Sequence, residues 1–344
     1  MTASAPPASI QTVSDAVERK ADKLGDEPFL QYRDRTITYA ELNSRVNAIA
    51  CALRSRGVEP GDTVCLYLYN SPEYVFTYFA LAKLGAVAAP IDTRFSGETL
   101  SFVLKKSDAS VIFVDAATHD AYETVRTEVP NITSEYYIGD QPPTHSYREF
   151  ATLSEREHTA PPSAEVGQAD TLSVTFIQRY ATEQPKGVLL PHYSYINTGW
   201  ETCANLFDFS PTDRVFTTLP LYSIFTFQIG IMGALLGDAS VILSDPFDPD
   251  CYWDLVERYD ATIILYLGRM LSVLYNQEVG PSDGTNPVDL AIGHGFGFGT
   301  DETLIEGFEE RFDIRVQEGH GVTQTATLAT YNTHEHRKIG SSGK

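Results

Sequence analysis

The chain is poor in the residues that tie proteins to metals, disulfides, membranes or nucleic acid. Its four cysteines, Cys51, Cys65, Cys203 and Cys251, lie far apart and form no CxxC pair. That spacing disfavours metal or disulfide use and reads as buried small hydrophobes. Only eight of its 25 basic residues are lysine, and 46 acidic residues bring the formal net charge to −21. Such a balance disfavours nucleic-acid binding through a general basic surface. The acidic surplus is spread along the chain, as in a proteome adapted to high salt, where screening removes self-repulsion. The most apolar run, Leu221 to Leu236, is broken by Ser223, Thr226 and Gln228 and is too short to span a bilayer. The N-terminal MTASAPPASIQ lacks the basic and apolar regions of a signal peptide. It reads as a disordered tail over residues 1–10 of a cytoplasmic protein. Neither a Ser/His/Asp triad, a metal-ligand cluster nor a solenoid repeat is evident.

What remains is ample apolar material, 42% of 344 residues, enough for two cores. Strand and helix patterns alternate. Thr38-Tyr39-Ala40-Glu41 is a capping sequence ahead of an apolar face at Leu42, Val46, Ile49 and Leu53, with Gly57 beyond it. Ser71-Pro72-Glu73 opens a second helix and Gly85 punctuates it. Asp248-Pro249 reads as the start of a later helix running to Tyr259, and regular helices are expected over 193–206 and 224–236. This alternation predicts an α/β fold of two doubly wound, mostly parallel sheets with helices on both faces. A Pro-, Glu- and Thr-rich stretch over 130–168 suggests a first sub-domain over 11–165 and a second over 166–344.

The chain is organised around TLSVTFIQRYATEQPKGVLLPH, residues 171–192. A β-branched run, Thr171 to Phe176, enters a polar loop, Pro185-Lys186-Gly187 leads out, and a short apolar strand, Val188 to Leu190, feeds a helix that starts near His192. Strand, loop and Lys-Gly exit make the layout of a phosphate loop, yet no glycine precedes Gly187. Ligands of wound sheets bind beyond the C-terminal ends of strands. The central loop and the loops after 292 and 317 should therefore converge on one rim.

These segments resemble the AMP-forming acyl-CoA synthetase (adenylate-forming) family from about Thr38 to the last residue. The resemblance rests on TYAELNSRVNAIACALRSRGVEPGDTVCLYLYNSPEYV, GAVAAPIDTRFSGETLSFVLKKSDASVIFVD, DRVFTTLPLYSIF, FEERFDIRVQEGHGVTQTA and HRKIGSSGK in co-linear order. The PIDTRF segment is most similar to carnitine-type and medium-chain acid ligases. The resemblance implies the family's large N-terminal domain, with relatives continuing past position 344 into a small C-terminal domain not present here. It implies activation of a small carboxylic acid by ATP, with Mg, through an acyl-adenylate, and coenzyme A as acceptor. A homo-oligomer is compatible with it.

It also implies site residues. Phosphate and nucleotide contacts fall on Arg179, Thr182, Lys186, Gly187, Gly297, His320, Gly321 and Thr323. The acyl pocket falls on Tyr222, Ser223 and Phe227, and Gln324 occupies the position of a magnesium ligand. Several positions depart from the family pattern. Tyr180 and Glu183 replace the early glycines of the phosphate loop, where strained φ costs roughly 1–3 kcal/mol per non-glycine residue. Gln324 replaces a carboxylate, which removes charge from a metal position, and Ser223 replaces a histidine. The loop reads either as remodelled, with Arg179 as a guanidinium phosphate ligand, or as dead. Two functions follow: an impaired or incomplete acid–CoA ligase, or an inactive ligase-like protein that binds a ligand or partner, including a decayed gene product.

Overall fold

The computed structural model describes all residues except 1–3, 145, 155–159, 161, 163, 179–182, 281–282, 295–300, 333–336 and 344. Strands β1 (Pro28–Tyr32) and β2 (Arg35–Thr38) come first, then β3 (Thr63–Tyr67), β4 (Val87–Pro90), β5 (Val111–Asp115), β6 (Ser134–Ile138) and β7 (Arg148–Glu149). They are followed by β8 (Thr171–Ile177), β9 (Lys186–Pro191), β10 (Arg214–Thr217), β11 (Ser240–Leu243) and β12 (Ile263–Leu267). The last three are β13 (Leu290–His294), β14 (Arg315–His320) and β15 (Thr330–Tyr331).

Among the described residues they form two sheets. One has the order β7-β6-β5-β3-β4-β8-β9, the other β15-β14-β13-β12-β10-β11-β1-β2. Pairing is parallel except at β1–β2, β8–β9 and β14–β15. The expected α/β class, with two mostly parallel sheets, is what the chain adopts. Residue 165, however, does not divide the sheets. The early β1–β2 hairpin pairs with β11, and the later β8 pairs with β4. Apolar strand faces from both halves share one core cluster that includes Phe29, Leu66, Phe216 and Ile264. Each such burial is worth about 1.5–3 kcal/mol.

Local signals set many element ends. Thr38 Oγ1 accepts the amide of Glu41 at 3.1 Å. Ser71 caps the helix Pro72–Leu84, which Gly85 closes at φ 71°, a left-handed conformation that glycine adopts without a Cβ clash. Elsewhere tertiary packing overrides the expectation. Asp248 does not cap a helix: its carboxylate accepts the Asp250 amide at 3.1 Å, and the helix begins at Tyr252. The helix from His192 turns π-helical over Glu201–Leu206, and Thr226–Met232 is π-helical too. These wider turns fit around close contacts, since a Cβ on Gly199 would meet Met232 Cβ at 2.9 Å.

Two further expectations need correction. From Ser4 the N-terminal tail is tethered by hydrogen bonds rather than frayed, although most of residues 4–9 are exposed. Trp200 Nε1 donates to the Ser4 carbonyl at 3.0 Å, Asn205 Oδ1 accepts its amide at 2.9 Å, and Ile10 is buried. Cys65 and Cys203 are buried, but Cys51 and Cys251 are partly exposed. The short strand expected after the central loop is β9, which pairs antiparallel with β8 and feeds the helix that starts at His192.

Candidate functional site

The C-terminal ends of β4, β8, β10 and β14 meet around two adjoining cavities. The outer one, of about 530 Å³, is lined by Asp92 and Arg94 after β4, Gln178 after β8, Tyr222, Ser223 and Thr323. The inner one, of about 200 Å³, lies among Phe207, Phe225, Leu267, Ile292 and the backbone of Gly293, Gly319 and Gly321. Ser223, Ile224 and Thr323 belong to both, and form the wall where the two cavities meet.

The inner wall is built by close backbone approach. A Cβ on Gly321 would fall 1.1 Å from the Thr327 carbonyl oxygen, so only glycine fits. Ala326 and Thr327 hold left-handed φ of 51° and 84°, a strain of roughly 1–3 kcal/mol each. The helical layer holds this turn in place. Thr327 Oγ1 donates to Gln228 Oε1 at 2.8 Å, and Thr198 Oγ1 donates to the Ala326 carbonyl at 2.9 Å. At the strand ends, His294 Nδ1 donates to the Gly319 carbonyl at 2.8 Å. Its ring lies 5.1 Å from that of exposed His320.

In the outer cavity Arg94 clamps Asp92 through Nε at 3.0 Å and Nη2 at 2.6 Å, a charge-assisted fork. Hydrogen bonding to Asp92 raises the Arg94 pKa. Burial, then the Asp92 charge, pushes the Tyr222 phenol up, against the opposing pull of Arg94. At pH 7 the cavity therefore presents a fixed cation–carboxylate pair beside a neutral phenol. Between the two sheets, buried Asn70 donates to the Leu219 carbonyl at 2.9 Å and accepts the Leu221 amide at 2.9 Å. It fixes the segment that carries Tyr222 and Ser223.

Of the residues expected at the site, Tyr222, Ser223, Gly321 and Thr323 line these cavities, and His320 and Gln324 flank them at exposed positions. Phe227 does not. Its ring sits 4.0 Å from that of Tyr78 and 5.7 Å from that of Phe79, in the core. Lys186 is exposed on β9 opposite Ile177. Gly187 answers to packing, because a Cβ there would meet Val174 Cγ2 at 2.9 Å. Arg179, Thr182 and Gly297 lie outside the described residues. Sequence reasoning missed Asp92, Arg94 and Asn70. The close Asp-Thr-Arg spacing was the only signal for the first two, and Asn70 carried none.

The donors at the magnesium position do not suit a tightly held divalent cation. Thr323 and Gln324 offer neutral oxygens, and Asp92 is committed to Arg94. Hard cations favour carboxylate ligands, so magnesium would arrive with a nucleotide as part of that substrate. Among the described residues no helix is long and apolar enough to cross a membrane.

The family model described as AMP-binding enzyme matches residues 17–344. The chain is 27% identical over 293 residues to a crotonobetaine/carnitine–CoA ligase of Salmonella agona, and 28% over 294 residues to that of Salmonella enteritidis. It covers 56% of the length of each, and 85% of its own length takes part. The chain thus spans about half of the curated relatives it matches. Its fold superposes on anthranilate CoA ligase AuaEII in complex with anthranoyl-AMP with a TM-score of 0.89 at 22% identity, covering 97% of this chain and 64% of that one. The N-terminal domain of FACL13 from Mycobacterium tuberculosis gives 0.85 at 24% identity, covering 97% and 82%. The fold is that of the N-terminal domain of adenylate-forming enzymes, and the chain belongs to the AMP-binding enzyme family.

Proposed function

We propose that this chain provides the acid- and nucleotide-binding domain of an ATP-dependent carboxylate–CoA ligase. The shared wall of Ser223 and Thr323 supports this reading, because it sets two polar hydroxyl side chains between an apolar cavity and a polar one. An acid whose tail occupies the inner cavity presents its carboxylate at that wall. A carboxylate oxygen then attacks the α-phosphorus of ATP, the bond to pyrophosphate breaks, and an acyl-adenylate forms. The thiol of coenzyme A takes the acyl group and releases AMP. Thr323 is the hydroxyl nearest in role to a phosphate donor, and Tyr222 stays protonated to donate rather than repel. His320, Gly321, Lys186 and Gly187, with Arg179, Thr182 and Gly297, are proposed nucleotide contacts, and Gln324 a weak magnesium contact.

The neutral, exposed Gln324 favours a second reading, in which the chain binds acid without turnover. Acid-dependent exchange of pyrophosphate into ATP decides between them. Exchange that requires the acid supports the ligase. Saturable acid binding with no exchange supports the ligand-binding protein.

A further inference from the structure

Resting on that assignment of the inner cavity to the acid, the cavity itself points to a substrate class. Its volume is about 200 Å³. An apolar cavity of about 150 Å³ lined by Leu, Ile and Phe takes up benzene. The space therefore suits one six-membered ring, or a branched chain of similar bulk, with little to spare. Its described lining includes Phe207, Ile224, Phe225, Leu267, Ile292 and Leu328, with no Asp, Glu, Lys or Arg. The three glycines do not widen it, because backbone or side chain already fills the space a Cβ would take. On Gly293 the obstacle is Tyr266 at 2.5 Å, and on Gly319 the Thr330 carbonyl at 3.1 Å.

A quaternary ammonium tail would lose its water shell here with no carboxylate on the described walls to replace it. A long alkyl tail would run past the ring-sized space towards the outer cavity or solvent and gain little apolar burial beyond it. We propose that the inner cavity selects acids with compact, uncharged tails, benzoate-like or short and branched. Their carboxylate lies at Ser223 and Thr323, and Phe207 and Leu267 set the size limit. This differs in chemistry from the cationic acids in the names of the Salmonella relatives.

The test is isothermal titration of the full chain with benzoate, 3-methylbutanoate, octanoate, hexadecanoate and carnitine. The same series is run on Phe207→Ala and on Leu267→Ala; Leu267 is 44% exposed, so its truncation removes little core packing. Benzoate and 3-methylbutanoate should bind, with octanoate weaker by roughly tenfold or more, the scale of an unaccommodated methylene. Hexadecanoate and carnitine should give no saturable heat, and a widened variant should narrow the gap between benzoate and octanoate. The proposal is overturned if octanoate, hexadecanoate or carnitine matches benzoate in the unmodified chain. It also falls if no acid binds, or if neither variant changes the gap. Pyrophosphate exchange on the same samples separates the two layers. Benzoate binding without exchange removes the ligase reading and leaves the cavity assignment. Exchange driven best by a long or cationic acid does the reverse.

Discussion

Lowering the pH should destabilise this protein through one buried histidine. His192 is fully buried, and its Nδ1 accepts the amide of Val13 at 3.2 Å. That amide opens the helix Val13–Leu24 and has no acceptor within the helix. Burial lowers the His192 pKa from 6.5 to about 4, against the opposing charges of Asp170 and Asp15. Protonation would bury a cation and turn Nδ1 from acceptor into donor, facing another donor. Because the folded pKa is depressed, the unfolded chain takes the proton first. The stabilisation is complete above pH 6.5 and is lost as the pH falls towards 4. Linkage gives a loss of about 2 kcal/mol at pH 5 and about 3 kcal/mol at pH 4.

The assay is urea unfolding at pH 7.5 and 5.0, in enough salt to damp the repulsion of a net charge of −21. Carboxylates also titrate as the pH falls, so the informative quantity is a difference. His192→Asn retains an acceptor near the Nδ1 position and does not titrate. Its stability should be lower than the parent's at pH 7.5, from lost ring packing, and should fall by about 2 kcal/mol less between the two pH values. Equal losses in parent and variant would refute the argument.

Other perturbations test the site. Asn70→Ala leaves the Leu221 amide and the Leu219 carbonyl without their partner; unfolding should show a loss of about 3 kcal/mol. Gly321→Ala puts a methyl group against the Thr327 carbonyl and should abolish acid binding by calorimetry while far-UV dichroism stays unchanged. Gln324→Glu restores a charged oxygen ligand. It should lower the magnesium concentration needed for half-maximal pyrophosphate exchange, and an unchanged magnesium curve would show that position 324 does not face the metal.

Many helix ends were legible because their signals are local. Ser71, Pro72 and Gly85 bound their helix through their own dihedrals and side-chain hydrogen bonds, with no need of distant partners. Thr12 and Asp15 cap the first helix in the same way, a signal as readable as that of Thr38 and Glu41. Ser223, Gly321 and Thr323 were named through the family resemblance, and the rule that strand ends of a wound sheet face one rim independently pointed only to the loops after residues 292 and 317.

By itself, then, the sequence determined the alternation of strands and helices, the parallel class and the residues that follow each strand. Tertiary structure alone decided which sheet each strand joins, since β1 and β11 pair across more than two hundred residues through matching apolar faces. It decided that Phe227, within a π-helical turn, packs beside Tyr78 rather than facing a cavity. It also decided why Gly321 must be glycine and why a side chain at Gly187 would be crowded. Both answer to atoms brought near by folding, Val174 Cγ2 in one case and the Thr327 carbonyl in the other. No pattern along the chain encodes a distance between residues that meet only when the chain has folded.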